Sequence, residues 1–339
     1  MQEILSSFAL TEAKLEPFGS GLINRTWKVY APERNYILQK INSDVFKQPQ
    51  SIAYNVRLVA DYLQKNYPGY PFVSPLNAVS GDDIIFCKKN GWFRLMPFVE
   101  DSFTLDVVTT PEQAYEAARQ FGKFTRLLSG FDSAKLKITI PQFHDLSLRY
   151  QQFLDAIVNG NMKRKRESND LINELFDHKS IVKQYQFIVS NPECKLRVTH
   201  HDTKISNVLF DHNGKGVCVI DLDTIMSGYF ISDVGDMMRT YISPVSEEEG
   251  DFDQIVIRRD FYLSIVEGYS DEMKDQLTAT EKKQFMFSGK FMTYMQALRF
   301  LTDYLNDDAY YGARYEGHNL VRAKNQMVLL KRLNEIEGN

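Results

Sequence analysis

The residues with the most chemical content stand in one string. A short apolar stretch, Arg197-Val198-Thr199, runs into His200-His201-Asp202-Thr203-Lys204-Ile205-Ser206-Asn207. A second apolar run, Val217-Cys218-Val219-Ile220, then ends in Asp221-Leu222-Asp223. A carboxylate at Asp202 can orient an incoming hydroxyl for in-line attack and accept its proton. Lys204 offers a cation for the charge that develops on a transferred phosphate. Asn207 supplies a neutral oxygen and Asp221 a charged one for magnesium. That ion takes one or two carboxylates and completes its shell with phosphate oxygens and water. The set is what phosphoryl transfer from a magnesium nucleotide, MgATP, needs. An isolated D-x-K is explained by a polar turn between two strands; the full string, closed by a second strand ending in acid, is not.

Nearby polar residues read as support. His200 sits at a strand end, where packing and a backbone hydrogen bond account for it. His201 is assigned no role. Asp233 and Asp236, in Asp233-Val234-Gly235-Asp236, can accept amides of the catalytic loop and fix its shape. Far upstream, Gly19-Ser20-Gly21-Leu22-Ile23-Asn24 offers a turn in which backbone amides can approach phosphate. A plain hairpin turn explains that stretch equally well.

Elements that position these groups fall into two sets. In the first hundred residues, Thr26-Trp27-Lys28-Val29-Tyr30 and Tyr36-Ile37-Leu38-Gln39-Lys40-Ile41 alternate at period two. Residues 51–66 place Ile52, Val56, Val59, Tyr62 and Leu63 at helical spacing after Pro49. Two further strands flank Lys89-Asn90-Gly91. The order describes a five-stranded antiparallel lobe with one helix. Beyond Pro97 the spacing predicts helices over 111–128, 146–158, 171–189, 252–269, 280–304 and 320–336. The fold class is therefore α+β, with an antiparallel β lobe over 1–97, a mainly α-helical lobe over 98–339, and the hinge at 97–101.

Composition narrows the function classes. The chain has 339 residues, 43% hydrophobic and 25% charged, enough to bury a core without staples. A net charge of −4 argues against a nucleic-acid partner. The one dense basic run, Lys163-Arg164-Lys165-Arg166, suits a solvated loop or helix start. Cys87, Cys194 and Cys218 form neither a disulfide framework nor a metal knuckle. No apolar stretch reaches the ~18 residues of a membrane helix, and the start carries no leader pattern. A cytoplasmic protein acting on a small molecule is expected; the sequence says nothing of its oligomeric state.

Taken in order, these motifs resemble the aminoglycoside phosphotransferase and choline kinase superfamily, and within it the N-acetylhexosamine 1-kinases. The similar segments run from Gly21-Leu22-Ile23-Asn24 and Tyr36-Ile37-Leu38-Gln39-Lys40 through Phe143-His144-Asp145 and the catalytic string. They continue in Ile220-Asp221-Leu222-Asp223-Thr224-Ile225-Met226, Arg299-Phe300-Leu301-Thr302-Asp303-Tyr304-Leu305 and Glu316-Gly317-His318-Asn319-Leu320-Val321-Arg322. The resemblance implies a protein-kinase-like two-lobe fold. It implies transfer of the ATP γ-phosphate to the anomeric hydroxyl of a hexosamine, with Asp202 as base and Asn207 and Asp221 on the metal. It further implies a sugar contact at Arg299, a second acid at Asp223 near metal or sugar, and adenine held by the backbone from Met96 through Phe98 to Glu100.

Two departures stand out. Leu22 occupies a position where these kinases carry a sugar-touching His. The helix over 51–66 contains no Glu to pair a strand Lys, as protein kinases have. Gln39 and Lys40 point to opposite faces. Either Lys40 faces ATP without an acidic partner, or Gln39 does so with a neutral one such as Asn55; the lack of an acid favours Gln39. Aminoglycoside and choline-type kinases are the alternatives within the class, and a nucleotide-binding pseudokinase the alternative outside it. The C-terminal region supplies Asp303, Asp307, Asp308, Tyr310, Tyr311 and Glu316 for a cationic acceptor, but Arg299, Arg314 and Arg322 interrupt that field, which suits a neutral or anionic acceptor better.

Overall fold

The computed structural model describes residues 1–19 and 23–337. It is a mixed α+β fold with an antiparallel sheet at the N-terminal end and helices over most of the remainder. Two compact units are present, each drawn from several stretches of chain. The first comprises Met1–Thr104, Leu127–Pro141 and Asn207–Ser227; the second comprises Leu105–Arg126, Gln142–Ser206 and Gly228–Asn339.

The first unit is built on strands β1 (Lys14–Pro17), β2 (Arg25–Tyr30), β3 (Asn35–Ile41), β4 (Ile85–Cys87) and β5 (Gly91–Pro97), in the order β1-β2-β3-β5-β4. All neighbours are antiparallel. The fifth strand is thus β1, ahead of the glycine turn. Alternation gives the sheet two unlike faces. Val29, Leu38, Phe93 and Leu95 point to one, where they pack on Ile4, Leu5 and Phe8. Ile4 and Leu5 belong to a short helix, α1 (Gln2–Ser6), that the sequence spacing did not indicate. The opposite face carries the register-matched trio Thr26, Gln39 and Arg94.

The expected helix is α2, Pro49–Asn66, with proline in its first turn. Its fully buried Asn55 donates to the carbonyls of Lys137 (2.8 Å) and Ile225 (3.0 Å) and accepts the Lys137 amide (2.8 Å). One neutral side chain thereby ties α2 to two distant segments, which is why those segments cluster with the sheet. Asn55 is therefore not the partner of Gln39. A second sheet in this unit joins Ser102–Phe103, Val208–Asp211 and Gly216–Val219.

The second unit is helical: Pro111–Leu127, Leu146–Asn159, Arg259–Met273, Phe285–Leu305 and His318–Glu337 are its longest elements. The basic run starts a helix, Met162–Glu167, capped by the Asn161 side chain. Three expected helices differ from the spacing. Residues 171–189 form two, Asn169–Asp177 and Ser180–Ser190. At the break the His178 imidazole takes the Glu174 carbonyl at 2.9 Å, an acceptor a continuing helix needs for its own ladder. The helix expected from 252 begins at Arg259, because the extended Arg258 sends its guanidinium to the carbonyls of Val108, Tyr241 and Ser243. The helix expected over 280–304 is in two pieces: a capping box, Thr278 with Glu281, opens a four-residue helix, Ala279–Lys282, and the long helix starts afresh at Phe285. No helix among the described residues is long and apolar enough to cross a membrane.

The helix Phe230–Tyr241 packs on Phe285–Leu305 at Gly235. A Cβ there would stand 2.4 Å from the Ser288 carbonyl oxygen and 3.0 Å from the Met292 Cβ. Backbone cannot yield as a side chain can. Gly235→Ala is expected to cost about 1–3 kcal/mol or more, read as a lower urea midpoint at an unchanged slope. An unaltered midpoint would contradict this packing.

Candidate active site

The strand Arg197–Thr199 leads into a loop whose backbone is buried and irregular, so its amides need acceptors. Asp233 supplies two: its carboxylate oxygens accept the amides of His200 (3.1 Å) and His201 (2.8 Å). Asp236 accepts the Thr203 amide at 2.9 Å. The Thr203 hydroxyl donates to the Asp233 carbonyl (2.7 Å), and the buried Tyr241 hydroxyl donates to the Thr203 carbonyl (2.5 Å). The helix Phe230–Tyr241 therefore sets the loop atom by atom. Burial pushes the Asp233 carboxyl up to about 7, against the pull of its two amides.

Between these anchors stand Asp202 and Lys204. Their side chains are 22% and 50% exposed and lie 3.1 Å apart, Lys Nζ to Asp Oδ1. The Asp202 charge raises the Lys204 ammonium above its ordinary value, despite desolvation. Lys204 is thus a held cation beside the carboxylate. His200 packs edge-on against Phe121 (5.1 Å between ring centres) and Phe124, and its Nδ1 accepts the Asp202 amide at 3.3 Å. It is a spacer, as the strand-end position suggested. His201 has more to do than the sequence indicated. It is buried, with a left-handed backbone (φ 67°), and its Nδ1 meets the Thr199 carbonyl at 3.1 Å. A Cβ at position 228 would lie 2.5 Å from its Nε2, so Gly228 makes room for the ring.

In the first unit, Asn207 and Asp221 flank the hairpin of Val208–Asp211 and Gly216–Val219. Val208 pairs with Val219, and the Ile220 amide donates to the Asn207 carbonyl at 2.9 Å. That register brings the two ends of the hairpin together. Asp221 is left-handed (φ 58°), which turns the chain into the Leu222–Thr224 helical turn. One amide oxygen and one carboxylate fit a divalent cation that arrives with phosphate oxygens. Among the described residues no group of three or more His, Cys, Asp or Glu is placed to hold a metal alone.

Asp223 is committed within this unit. One oxygen pairs with Arg94, both side chains being 3% exposed; the other accepts Asn24 Nδ2 at 2.7 Å. Arg94 also donates twice to Gln39 Oε1, and Gln39 Nε2 donates to Thr26 at 3.1 Å. Asn24 accepts the Asn42 amide at 3.0 Å. Gln39 therefore lies on the polar face, and Lys40 on the face of Leu38, near the turn glycine Gly91. Sequence reasoning missed Arg94. Its alternation with Phe93 and Leu95 gave a face but no sign that a buried cation was needed there.

Gly19 has a left-handed backbone (φ 76°); Ser20, Gly21 and Leu22 lie outside the described residues. Met96 shares the polar face with Arg94. The Phe98 ring receives Lys28 Nζ at 3.6 Å and meets Phe18 edge-on at 5.9 Å, and its amide donates to the Asn35 carbonyl.

Arg299 lies in the helical unit. Its guanidinium is 5.3–6.0 Å from the ring centres of Tyr311, Tyr310 and Phe143 and donates to Gln296 at 2.8 Å. Phe143 stacks on His144 (4.4 Å), and His144 lies 5.3 Å from His201. A continuous aromatic contact therefore runs from Arg299 to the residue before Asp202.

Two measurements test this architecture. A carboxyl with a raised pKa adds stability below its unfolded value of ~4, and that stability is lost as pH rises to about 7. Asp233→Asn should therefore flatten the fall of the urea midpoint between pH 4 and 7. It should also lower stability throughout, since one amide oxygen cannot serve both loop amides as two carboxylate oxygens do. A slope equal to the parent's contradicts a buried, proton-holding Asp233. Arg94→Met should cost about 3–5 kcal/mol by stranding Asp223, and adding Asp223→Leu should restore much of it. Equal losses in single and double variants would contradict a buried pair.

Comparison with known proteins gives the same class. The chain superposes on the structure of a microcompartment-associated aminopropanol kinase with a TM-score of 0.67 at 16% identity, over 99% of this chain and 97% of that one. An aminoglycoside phosphotransferase from Alicyclobacillus acidocaldarius gives 0.65 at 11% identity, over 100% and 97%. A spectinomycin phosphotransferase solved with ADP and spectinomycin gives 0.60 at 13%, over 100% and 98%. At such identities the likeness is one of fold, protein-kinase-like with a sheet lobe and a helical lobe. The sequence match is more specific: the APH model, described as the phosphotransferase enzyme family, matches residues 14–263, or 250 of 339. The string from His200 to Asn207 falls inside that match, and the chain belongs to this family as an ATP-dependent phosphotransferase.

Proposed function

We propose that the chain transfers the γ-phosphate of ATP to a sugar hydroxyl, the anomeric hydroxyl of an N-acetylhexosamine. The acceptor oxygen attacks phosphorus, the bond to the β–γ bridging oxygen breaks, and ADP leaves. Asp202 orients the hydroxyl and takes its proton. Lys204, held charged beside it, offsets charge on the phosphate. Asn207 and Asp221 hold Mg²⁺, which when bound neutralises the nucleotide phosphates. The amides around Gly19, Gly21 and Asn24, with Met96, Phe98 and Gln39 rather than Lys40, which lies on the opposite face, are assigned to the nucleotide, and Asp223 with Arg299 to the acceptor. The pairing of Asp223 with Arg94 and Asn24 makes its contribution one of position.

The observation that carries the acceptor class is Arg299. Aminopropanol and aminoglycosides, named for the similar structures, carry amines. An ammonium group is drawn to carboxylates or to open aromatic faces. Here a guanidinium already occupies the faces of Tyr310 and Tyr311. A neutral hydroxylated ring, hydrogen-bonded by the guanidinium and stacked on tyrosine, suits the same groups.

The test is ADP release with N-acetylglucosamine, N-acetylgalactosamine, aminopropanol and choline, followed by phosphorus NMR of the product. Turnover of a hexosamine to its 1-phosphate is expected. Turnover of an amino alcohol alone would overturn the acceptor assignment. Asp202→Asn should lower kcat by about 10²–10⁴ while nucleotide binding survives; unchanged kcat would remove Asp202 as base.

A further inference from the structure

The helical unit contains a cavity of about 380 Å³ lined by Arg149, Arg299, Thr302, Asp303, Tyr310 and Tyr311, among others. We propose that it holds an anion subsite, in which Arg149 and Arg299 take a carboxylate carried by the acceptor sugar. This rests on the sugar-kinase assignment and extends it from a neutral hexosamine to an acidic one.

Charge is the first ground. Among the described residues neither Arg149 nor Arg299 forms an ion pair. Arg149 donates to Gln152 (3.0 Å) and to the carbonyls of Gln142 (3.1 Å) and Phe143 (3.3 Å); Arg299 donates to Gln296. All these acceptors are neutral. The wall also carries two acids, Asp155 and Asp303, and among the described residues neither is bonded to an arginine of the cavity. Both oxygens of buried Asp303 are engaged by the amides of Tyr310 and Tyr311 and by Asn319. Asp155 is exposed and accepts from Gln151. Two guanidiniums thus line one cavity, and among the described residues neither is paired with a carboxylate. Desolvation first, and the Arg299 charge second, hold the Arg149 guanidinium below its ordinary value.

Unmet hydrogen bonding is the second ground. Arg149 Nε, Thr302 Oγ1 and Tyr311 OH are buried with no partner among the described residues. All three can donate, and all belong to the lining of this cavity. Buried donors are rarely left unmade. A carboxylate offers two oxygens in the plane a guanidinium fork matches. Position is the third ground: through Phe143 and His144 the same Arg299 reaches His201, the neighbour of Asp202.

The experiment is calorimetric binding, with ADP and magnesium present, of N-acetylglucosamine, its C6 uronic acid and its 3-O-lactyl ether. At least one acid should bind the parent about tenfold or more tighter than the neutral sugar, and high salt should narrow that gap. Arg149→Gln should reduce the preference to about threefold or less, and Arg149→Lys, which keeps the charge without the fork, should restore part of it. Equal or weaker binding of both acids by the parent overturns the subsite, whether or not the variants fold. So does a preference that survives in Arg149→Gln. ADP release measured in parallel separates the two assignments. Turnover of the neutral sugar without acid preference sinks the subsite alone. Acid preference without ADP release on any sugar sinks the sugar-kinase assignment alone.

Discussion

The structure of the helical unit depends on one requirement: the backbone of residues 200–203 is buried without belonging to a helix or a sheet, and its amides must be satisfied. Asp233 and Asp236 meet it from a single helix. Unpaired buried amides cost about 1–3 kcal/mol each, so the loop has one stable shape. Everything else follows from holding that helix in place. Gly235 seats it on Phe285–Leu305. Arg239 pairs with Asp236 (3.0 Å) and Glu247 (2.6 Å); Glu247 pairs with Arg322, and Glu248 with His318 at 2.6 Å. The carboxylate that shapes the loop is thereby linked to the C-terminal helix His318–Glu337. Charge buried in this way gives position more than net stability. Asp202 and Lys204 ride on the loop and make few demands of their own.

The sheet unit solves a different problem. Protein kinases use a strand cation and a helix acid; here the helix contributes a neutral Asn55, spent on backbone groups. The buried cation is Arg94, and its acid is Asp223, two residues past Asp221. Gln39, Thr26 and Asn24 complete the hydrogen bonds of that pair. Fixing Asp223 fixes the backbone on which the Asp221 carboxylate stands. The buried ion pair of this unit therefore joins a strand and the Leu222–Thr224 turn, with no acid from the helix.

The cavity beside Arg299 bears on the proposed acceptor. Its wall carries Arg149 and Arg299, neither in an ion pair among the described residues, beside Asp155 and Asp303, and the tyrosines around Arg299 limit how far it can turn away. The polar atoms of the same wall donate. Under the proposed function these donors would meet a hydroxylated, acidic guest, whereas fold alone is neutral on the matter.

Much of this was legible in the sequence. The string from His200 to Asn207, with Asp221 after a strand, determined the reaction class, because few other chemistries need that set in that order. Period-two runs around Leu38 and Phe93 and the helical spacing of Ile52, Val56 and Val59 determined the sheet and its helix, because local alternation decides which face is buried. Other features were settled only by tertiary structure. Arg94 with Asp223 and Asn55 with Lys137 and Ile225 join residues up to 170 positions apart, and no local pattern records such partners. The helix breaks at His178 and Arg258 arise where a side chain captures a backbone carbonyl, which spacing alone does not reveal. His201, passed over in the sequence, is buried because Gly228 leaves it space. Residue type and order sufficed for the chemistry of the phosphate; which arginines of the helical unit are left without an ion pair is a sum over the fold, and only the fold could give it.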